Sequence, residues 1–279
     1  MNETGSAGSA AGPRVRKQDL IAGLRRLGVA PGSKVFAHTS LSAFGWVDGG
    51  ADAVCDALIE AVSPDGTVAM PTFTWDANHA REVVVFDVRN APCNVGAIPE
   101  AFRQRPGTIR SDHVCHSVAA LGPLAAEVMG DGVRPFAEGS SMYRLYEFDF
   151  EYLFLGCGFD SCTALHTAEE LMAVPYRYYR HFKGSTVIRA DGSTAPSRAV
   201  EFLRKLPYTN DFGKMHAVYD ERGLLRTATV GRARLIGART RELVDAAVAL
   251  LKHDIGYLLT EPSRRCLVED DGGPDTPPG

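Results

Sequence analysis

Three short stretches of this chain concentrate the residues able to do chemistry. In Ser161-Cys-Thr-Ala-Leu-His-Thr-Ala-Glu-Glu170 an imidazole precedes two carboxylates. If Thr163 is a helix N-cap, His166 falls in the first turn. There the helix dipole favours neutral imidazole, the form a general base needs. Glu169 and Glu170 follow at i+3 and i+4, placed to orient the ring or raise its basicity. The other reading is a satisfied structural histidine beside solvated glutamates. Cys162, one turn earlier, would allow an acyl-cysteine route with His166 as base. A buried small thiol is the commoner role of free cysteine.

The second stretch, Arg110-Ser-Asp-His-Val-Cys-His-Ser117, combines a cation, two imidazoles, a thiol and hydroxyls. It reads either as a phosphate or pantetheine contact, with Arg110 and Ser111 as donors, or as a polar surface loop. His113, Cys115 and His116 are metal-ligand types, but their spacing fits no common zinc pattern and no metal is expected. The third stretch is Thr39-Ser-Leu-Ser42, between an apolar run and a helical one. Small hydroxyl residues after a strand suit an anion at the carboxyl end of a sheet, or simply cap a loop. It lacks the Gly-Lys-Ser/Thr of a Walker loop. Outside these stretches, carboxylates recur at Asp76, Glu100, Asp211, Asp220 and Glu221. A cationic acceptor would need several of them on one wall, and Asp76 and Glu100 with Thr72 are the expected acceptor contacts.

The elements that must position these groups alternate between strand and helix. Leu20, Leu24 and Leu27 predict a helix over 17–28, stopped by Gly28. Lys34–His38 and Thr67–Met70 read as strands around a helix over 51–62, a βαβ unit that requires parallel pairing. Further strands are expected at Val118–Leu121 and Tyr152–Leu155, with helices at 98–104, 123–129 and 164–172. Asp191-Gly192 predicts a hairpin. A lone helix is expected over 197–203, a strand over 225–230, and a last helix capped by Thr240. The fold class is therefore α/β, with a mixed, partly parallel central sheet flanked by helices. A smaller β-containing subregion, the acceptor side, is expected at about 175–235, inserted toward the C-terminal half. One domain over 14–267 is expected, between disordered tails at 1–13 and 268–279.

The 279 residues carry a formal charge of −4, which argues against a dedicated nucleic-acid binder. No apolar run approaches the ~18 residues of a membrane span. The start of the chain has no apolar core of a signal peptide. Six cysteines without a CxxC pair suit a reducing compartment, so a cytoplasmic location is expected.

Taken together, five motifs resemble the aminoglycoside 3-N-acetyltransferase family. They are His38-Thr-Ser-Leu-Ser-Ala-Phe-Gly-Trp-Val-Asp-Gly-Gly50; Met70-Pro-Thr-Phe-Thr74; Gly96-Ala-Ile-Pro-Glu-Ala-Phe-Arg103; Arg110-Ser-Asp-His113 with Ser117-Val-Ala-Ala-Leu-Gly122; and Leu155-Gly-Cys-Gly-Phe-Asp-Ser-Cys-Thr-Ala-Leu-His-Thr-Ala-Glu169. They run in order over roughly 17–255. The resemblance implies transfer of acetyl from acetyl-CoA to the 3-amino group of a 2-deoxystreptamine aminoglycoside, within a ternary complex. It places Thr39, Ser40, Leu41, Arg110, Ser111, His113 and Ser117 on the cofactor side. His166 is the implied base, with Asp211 as its orienting carboxylate and Glu169 as the competing choice. Donors near Ser40 or Leu41 would stabilise the oxyanion. The chain departs from the family at Val114, where proline is usual, and matches weakly over 176–220, where acceptor contacts are expected. Another amine in a natural-product pathway, or a silent CoA-binding role, is the alternative. The oligomeric state is left open.

Overall fold

The computed structural model describes residues 14–74 and 83–270. Asp76 and the expected tail 1–13 lie outside them. In chain order the strands are β1 (Lys34–Thr39), β2 (Thr67–Pro71), β3 (Val85–Asp87), β4 (Ile109–Arg110), β5 (Val118–Leu121) and β6 (Glu151–Leu155). There follow β7 (Arg177–His181), β8 (Thr186–Ile188), β9 (Thr194–Pro196), β10 (Val200–Arg204), β11 (Arg226–Val230) and β12 (Ala233–Arg239).

Seven strands form the central sheet in the order β11-β12-β6-β1-β2-β5-β4. β1 runs parallel to both β2 and β6, and the outer pairings are antiparallel. The parallel centre is buried on both faces, which explains why Thr67–Pro71 and Glu151–Leu155 read as near-continuous apolar runs. Alternate residues feed two cores. Val35, Ala37, Val68, Leu153 and Leu155 face the helices Lys17–Arg26, Gly50–Val62 and Ala97–Arg103. Phe36, Ala69, Tyr152 and Phe154 face the helices Ser141–Glu147, Ala164–Leu171, Met215–Glu221 and Thr240–His253.

Two small sheets lie beside this layer. β10 pairs with β7, and β8 joins β9 to β3. The smaller β subregion is thus built from residues 177–204 together with β3 from far earlier in the chain, over a core of Phe86, Val88, Phe182 and Val187. The run 225–230, expected in that subregion, instead forms β11 at the edge of the central sheet.

The helix expected over 197–203 is strand β10. Val200 and Phe202 alternate with Glu201, and Glu201 pairs directly across from Arg180 on β7, to which it is ion-paired. A strand satisfies that carboxylate. Thr240 is the first helical residue rather than the cap, and its hydroxyl donates to Phe150 O at 2.7 Å. A further helix, Glu261–Asp270, follows the one expected to be last and reaches into the stretch expected to be a tail.

Gly156 ends β6 with φ +80°, and a Cβ there would lie 2.6 Å from Ala43 Cβ and 3.0 Å from Ser40 O. The β6 turn and the hydroxyl loop after β1 can approach only because this side chain is missing. Gly156→Ala is expected to lower stability by more than ~1 kcal/mol in denaturant unfolding. Gly192→Ala, at φ +85° with open space around it, is the milder control. Equal losses in the two variants would show that the close approach is unimportant.

Candidate active site

The chain leaves β1 for β2 on one side and reaches β6 on the other. In an open α/β sheet such a switch point leaves a crevice at the carboxyl ends of the strands. A cavity of about 470 Å³ opens there. Its lining includes His38 and Thr39 from β1, Pro71 and Phe73 from the end of β2, and Cys157, Asp160, Cys162 and Thr163 after β6. His166 and Phe212 complete the inner wall.

A polar trio forms the floor. His38 Nε2 lies 2.8 Å from the Tyr152 hydroxyl and 3.2 Å from Thr163 Oγ1. The Tyr152 hydroxyl accepts the Ala164 N–H at 3.1 Å, which ties down the first turn of the Ala164–Leu171 helix. Thr163 is the N-cap residue, yet its hydroxyl serves this trio rather than the helix amides. Burial drives the His38 pKa down to about 3, so the trio is uncharged at neutral pH.

His166 stands in the first turn of that helix, between the rings of Phe136 and Phe212. Its Nδ1 lies 2.6 Å from Glu169 Oε2. Arg177 Nη2 is 2.8 Å from the same oxygen, and Asn210 Nδ2 donates to the other at 2.8 Å. Burial works to raise the Glu169 pKa, but Arg177 and the imidazole hold it below the usual carboxylate range. Glu169 is therefore ionised, and the proton in the 2.6 Å contact belongs to Nδ1. Nε2 is left as the basic nitrogen of a ring that lines the cavity. Burial first, and Arg177 second, push the His166 pKa below its ordinary value, so the ring is neutral at pH 7. A neutral imidazole oriented by a carboxylate is the arrangement of a general base.

A family model for aminoglycoside 3-N-acetyltransferase matches residues 36–252. The chain belongs to this family. Aminoglycoside N(3)-acetyltransferase IV of Salmonella sp is 30% identical over 86% of this chain and 88% of its own length. The prophage-derived aminoglycoside N(3')-acetyltransferase-like protein YokD of Bacillus subtilis (strain 168) is 28% identical, over 83% of this chain and 90% of its own. The solved structure of AAC-IIIb binary with CoASH superposes with a TM-score of 0.76 at 25% identity, covering 86% of this chain and 97% of that one. A mutant of aminoglycoside acetyltransferase AAC(3)-IVa in complex with a gentamicin gives 0.74 at 28% identity, covering 90% and 93%. As a family member, the chain is an acyltransferase.

Within this acetyltransferase the residues expected from the sequence divide sharply. Of the hydroxyl loop, Thr39 lines the cavity, and its Oγ1 is buried without a hydrogen-bond partner among the described residues. The Ser40 N–H is spent on Leu155 O at 2.9 Å, so it is not a free oxyanion donor, and Leu41 opens a short 3-10 turn. Arg110 lies under the accessory sheet, over the Phe86 ring, where burial lowers its pKa to about 10. It donates to Ala91 O at 2.5 Å, Thr72 O at 2.6 Å, Ser117 Oγ at 3.0 Å and Thr72 Oγ1 at 3.1 Å. Thr72 and Ser117 are buried in that cluster. Ser111 Oγ accepts the Val118 N–H at 2.9 Å. His113 Nδ1 accepts the N–H groups of Cys115 and His116, so its Nε2 carries the proton and donates to Val200 O at 3.2 Å. These four residues join the second motif to the sheet and to β10 rather than to the cavity.

Glu100 is held by Arg103, Gln104 and the Cys93 N–H. Against partial burial, these bonds bring its pKa down to about 2. Asp211 Oδ1 accepts the Lys214 N–H at 3.4 Å. The contact expected from Asp211 is made by Glu169, supported by the neighbouring Asn210. Glu170 faces away, bonded to Arg134 and Tyr179. Cys162 is fully buried and its thiol is pushed up to about 12, so it offers no thiolate for an acyl-cysteine route. The sequence reading missed His38, Arg177, Asn210 and Phe212. Asn210 and Phe212 flank Asp211, and it is the Asn210 side chain that reaches Glu169. Arg177 carries no local signal, because its partners are distant in sequence.

Among the described residues no helix is long and apolar enough to cross a membrane. Arg110→Met is expected to cost about 1.5–3 kcal/mol of stability through the buried acceptors it strands, read as a lower thermal midpoint. An unchanged midpoint with weaker acetyl-CoA binding would return Arg110 to the cofactor side.

Proposed function

We propose that this chain transfers acetyl from acetyl-CoA to the 3-amino group of a 2-deoxystreptamine aminoglycoside, directly, with His166 as general base. The observation that carries this reading is the Glu169–His166 pair facing a cavity at the β1/β6 switch point. Relatives support the choice of ligands, since AAC-IIIb was solved with CoASH and AAC(3)-IVa with a gentamicin. The cavity suits a thioester in two respects. It is largely apolar beside Pro71, Phe73, Val95 and Pro99, and it holds the unpartnered Thr39 hydroxyl as a donor.

When bound, acetyl-CoA supplies an activated acyl group on a thiolate leaving group. His166 Nε2 takes the proton that the amine nitrogen loses as its N–C bond forms. Glu169 stabilises the resulting imidazolium through Nδ1–H. His166 then returns the proton to the sulfur as the C–S bond breaks, which restores the neutral ring. Positioned base catalysis is worth about 10²–10⁴-fold, and holding amine and thioester together supplies more.

A second reading has one observation in its favour. Asp160 is the one carboxylate side chain among the described lining residues. A polycationic acceptor is met by little negative charge there, so an amine of lower charge, as in a biosynthetic role, also fits. Thiol release from acetyl-CoA against a panel of aminoglycosides and simple amino sugars separates the two. Release with compounds carrying a free 3-amino group supports the first; release with other amines alone moves the function to the second. His166→Ala is expected to reduce kcat about 10²–10⁴-fold with acetyl-CoA affinity unchanged. The unsubstituted enzyme should lose kcat/KM as pH falls through a value below 6.5, since the base is active above its depressed pKa. Turnover surviving in His166→Ala would sink the base assignment.

A further inference from the structure

Glu169 is fully buried, and an ionised carboxylate in such a place persists only if paired and hydrogen-bonded. Its partners come from three separate elements. His166 lies on its own helix, Arg177 begins β7, and Asn210 sits in the loop before the Met215–Glu221 helix. Arg177 Nη2 reaches Glu169 Oε2 at 2.8 Å and Asn210 Oδ1 at 2.8 Å, and the guanidinium lies over the Phe202 ring at 5.2 Å. Asn210 Nδ2 closes the circuit on Glu169 Oε1 at 2.8 Å. Arg204, from β10, also donates to Asn210 Oδ1, at 2.9 Å.

We infer that Arg177, with Asn210, is the positioning element of the His166–Glu169 pair: it keeps Glu169 a carboxylate, fixes it against Nδ1, and sets how strongly the imidazole holds a proton. The inference rests on the His166 base reading and extends it to residues that do not line the cavity.

The sign of each effect follows from the geometry. Arg177 Nη2 is only 3.2 Å from Nδ1, too close for a protonated imidazole to be welcome. Since Nδ1 already gives its proton to Glu169, the guanidinium is a like charge beside the ring rather than a hydrogen-bond partner. Glu169 favours the imidazolium; Arg177 opposes it. Among the described residues, Arg204 from β10, His116 from the loop before β5, and Tyr176 just ahead of β7 also face this cluster. Arg204 adds to the opposition, whereas burial keeps His116 neutral. The opposition has a use in the second half of the reaction. An imidazolium that holds its proton loosely returns it readily to the departing sulfur. Arg177 thus trades some strength of the base for a better acid, a balance required because one residue performs both transfers.

The test is the pH profile of kcat/KM in four variants, with acetyl-CoA binding measured separately by calorimetry. Arg177→Met is expected to move the acid limb to higher pH and to lower kcat at least about tenfold, a part of the 10²–10⁴-fold that the base is worth. Glu169→Gln should move the limb the opposite way, to lower pH, with a larger loss of kcat. Asn210→Ala keeps the charge, so its limb should stay in place while kcat falls. Arg177→Lys should restore the position of the limb and recover part of kcat. Acetyl-CoA affinity should change little in all four. An Arg177→Met limb that coincides with the parent's overturns the inference, because a merely structural arginine would not move it. If Arg177→Met does not fold, Arg177→Lys and Asn210→Ala decide: parent-like kcat in both overturns it, and reduced kcat with unchanged binding supports it. His166→Ala that retains turnover would instead remove the base reading beneath it.

Discussion

A carboxylate with no exposure to water is the constraint on which this site depends. Removing an ion from water costs several kcal/mol even after relaxation, and the cost is recovered only with good geometry on every lone pair. Glu169 meets that demand with His166, Arg177 and Asn210. The carboxylate is therefore satisfied only when β7 and the 210 loop have docked on the Ala164–Leu171 helix. The accessory region and the orientation of the His166 ring are thus tied through one carboxylate.

The sheet supplies the other half of the site. Parallel β6, β1 and β2 end at one edge, where the Gly156 turn, the Thr39 hydroxyl at the end of β1 and the Phe73 wall come together. Gly156 lets the β6 turn and the hydroxyl loop after β1 meet. Beneath them, the trio of His38, Tyr152 and Thr163 shows why a histidine in the first motif is not a second base. His38 is buried among aromatic rings and hydroxyls, and burial lowers its pKa to about 3, so its imidazole is neutral at pH 7. Arg110 makes the parallel point for cations. In the sequence it looks like an anion contact, but its hydrogen bonds point inward, to carbonyl and hydroxyl oxygens that join β2, β5 and the 88–91 loop.

Much of the architecture was legible because its signals are local. Apolar runs of strand length, leucines at helical spacing and the Asp191-Gly192 turn each depend on neighbours a few residues away. Failures came where a distant partner overrode local preference. Residues 197–203 read as helical, yet Glu201 needs Arg180 across a strand pair. Residues 225–230 read as part of an insertion, yet they complete the edge of the central sheet.

For the site, local spacing was enough to bring His166 and its i+3 carboxylate together. A helix starting near Thr163 brings His166 and Glu169 onto one face whatever the rest of the chain does. The alternation of strand and helix likewise implied a ligand crevice at the carboxyl ends of the strands. It took the packed chain to show that Asn210 rather than Asp211 supports the pair, that Arg177 stands behind it, and that Arg110, Ser111, His113 and Ser117 knit loops together. The physical reason is the same in each case. A polar side chain declares its type in the sequence, but its role depends on which oxygens and nitrogens burial leaves within hydrogen-bond reach, and burial is a property of the packed chain.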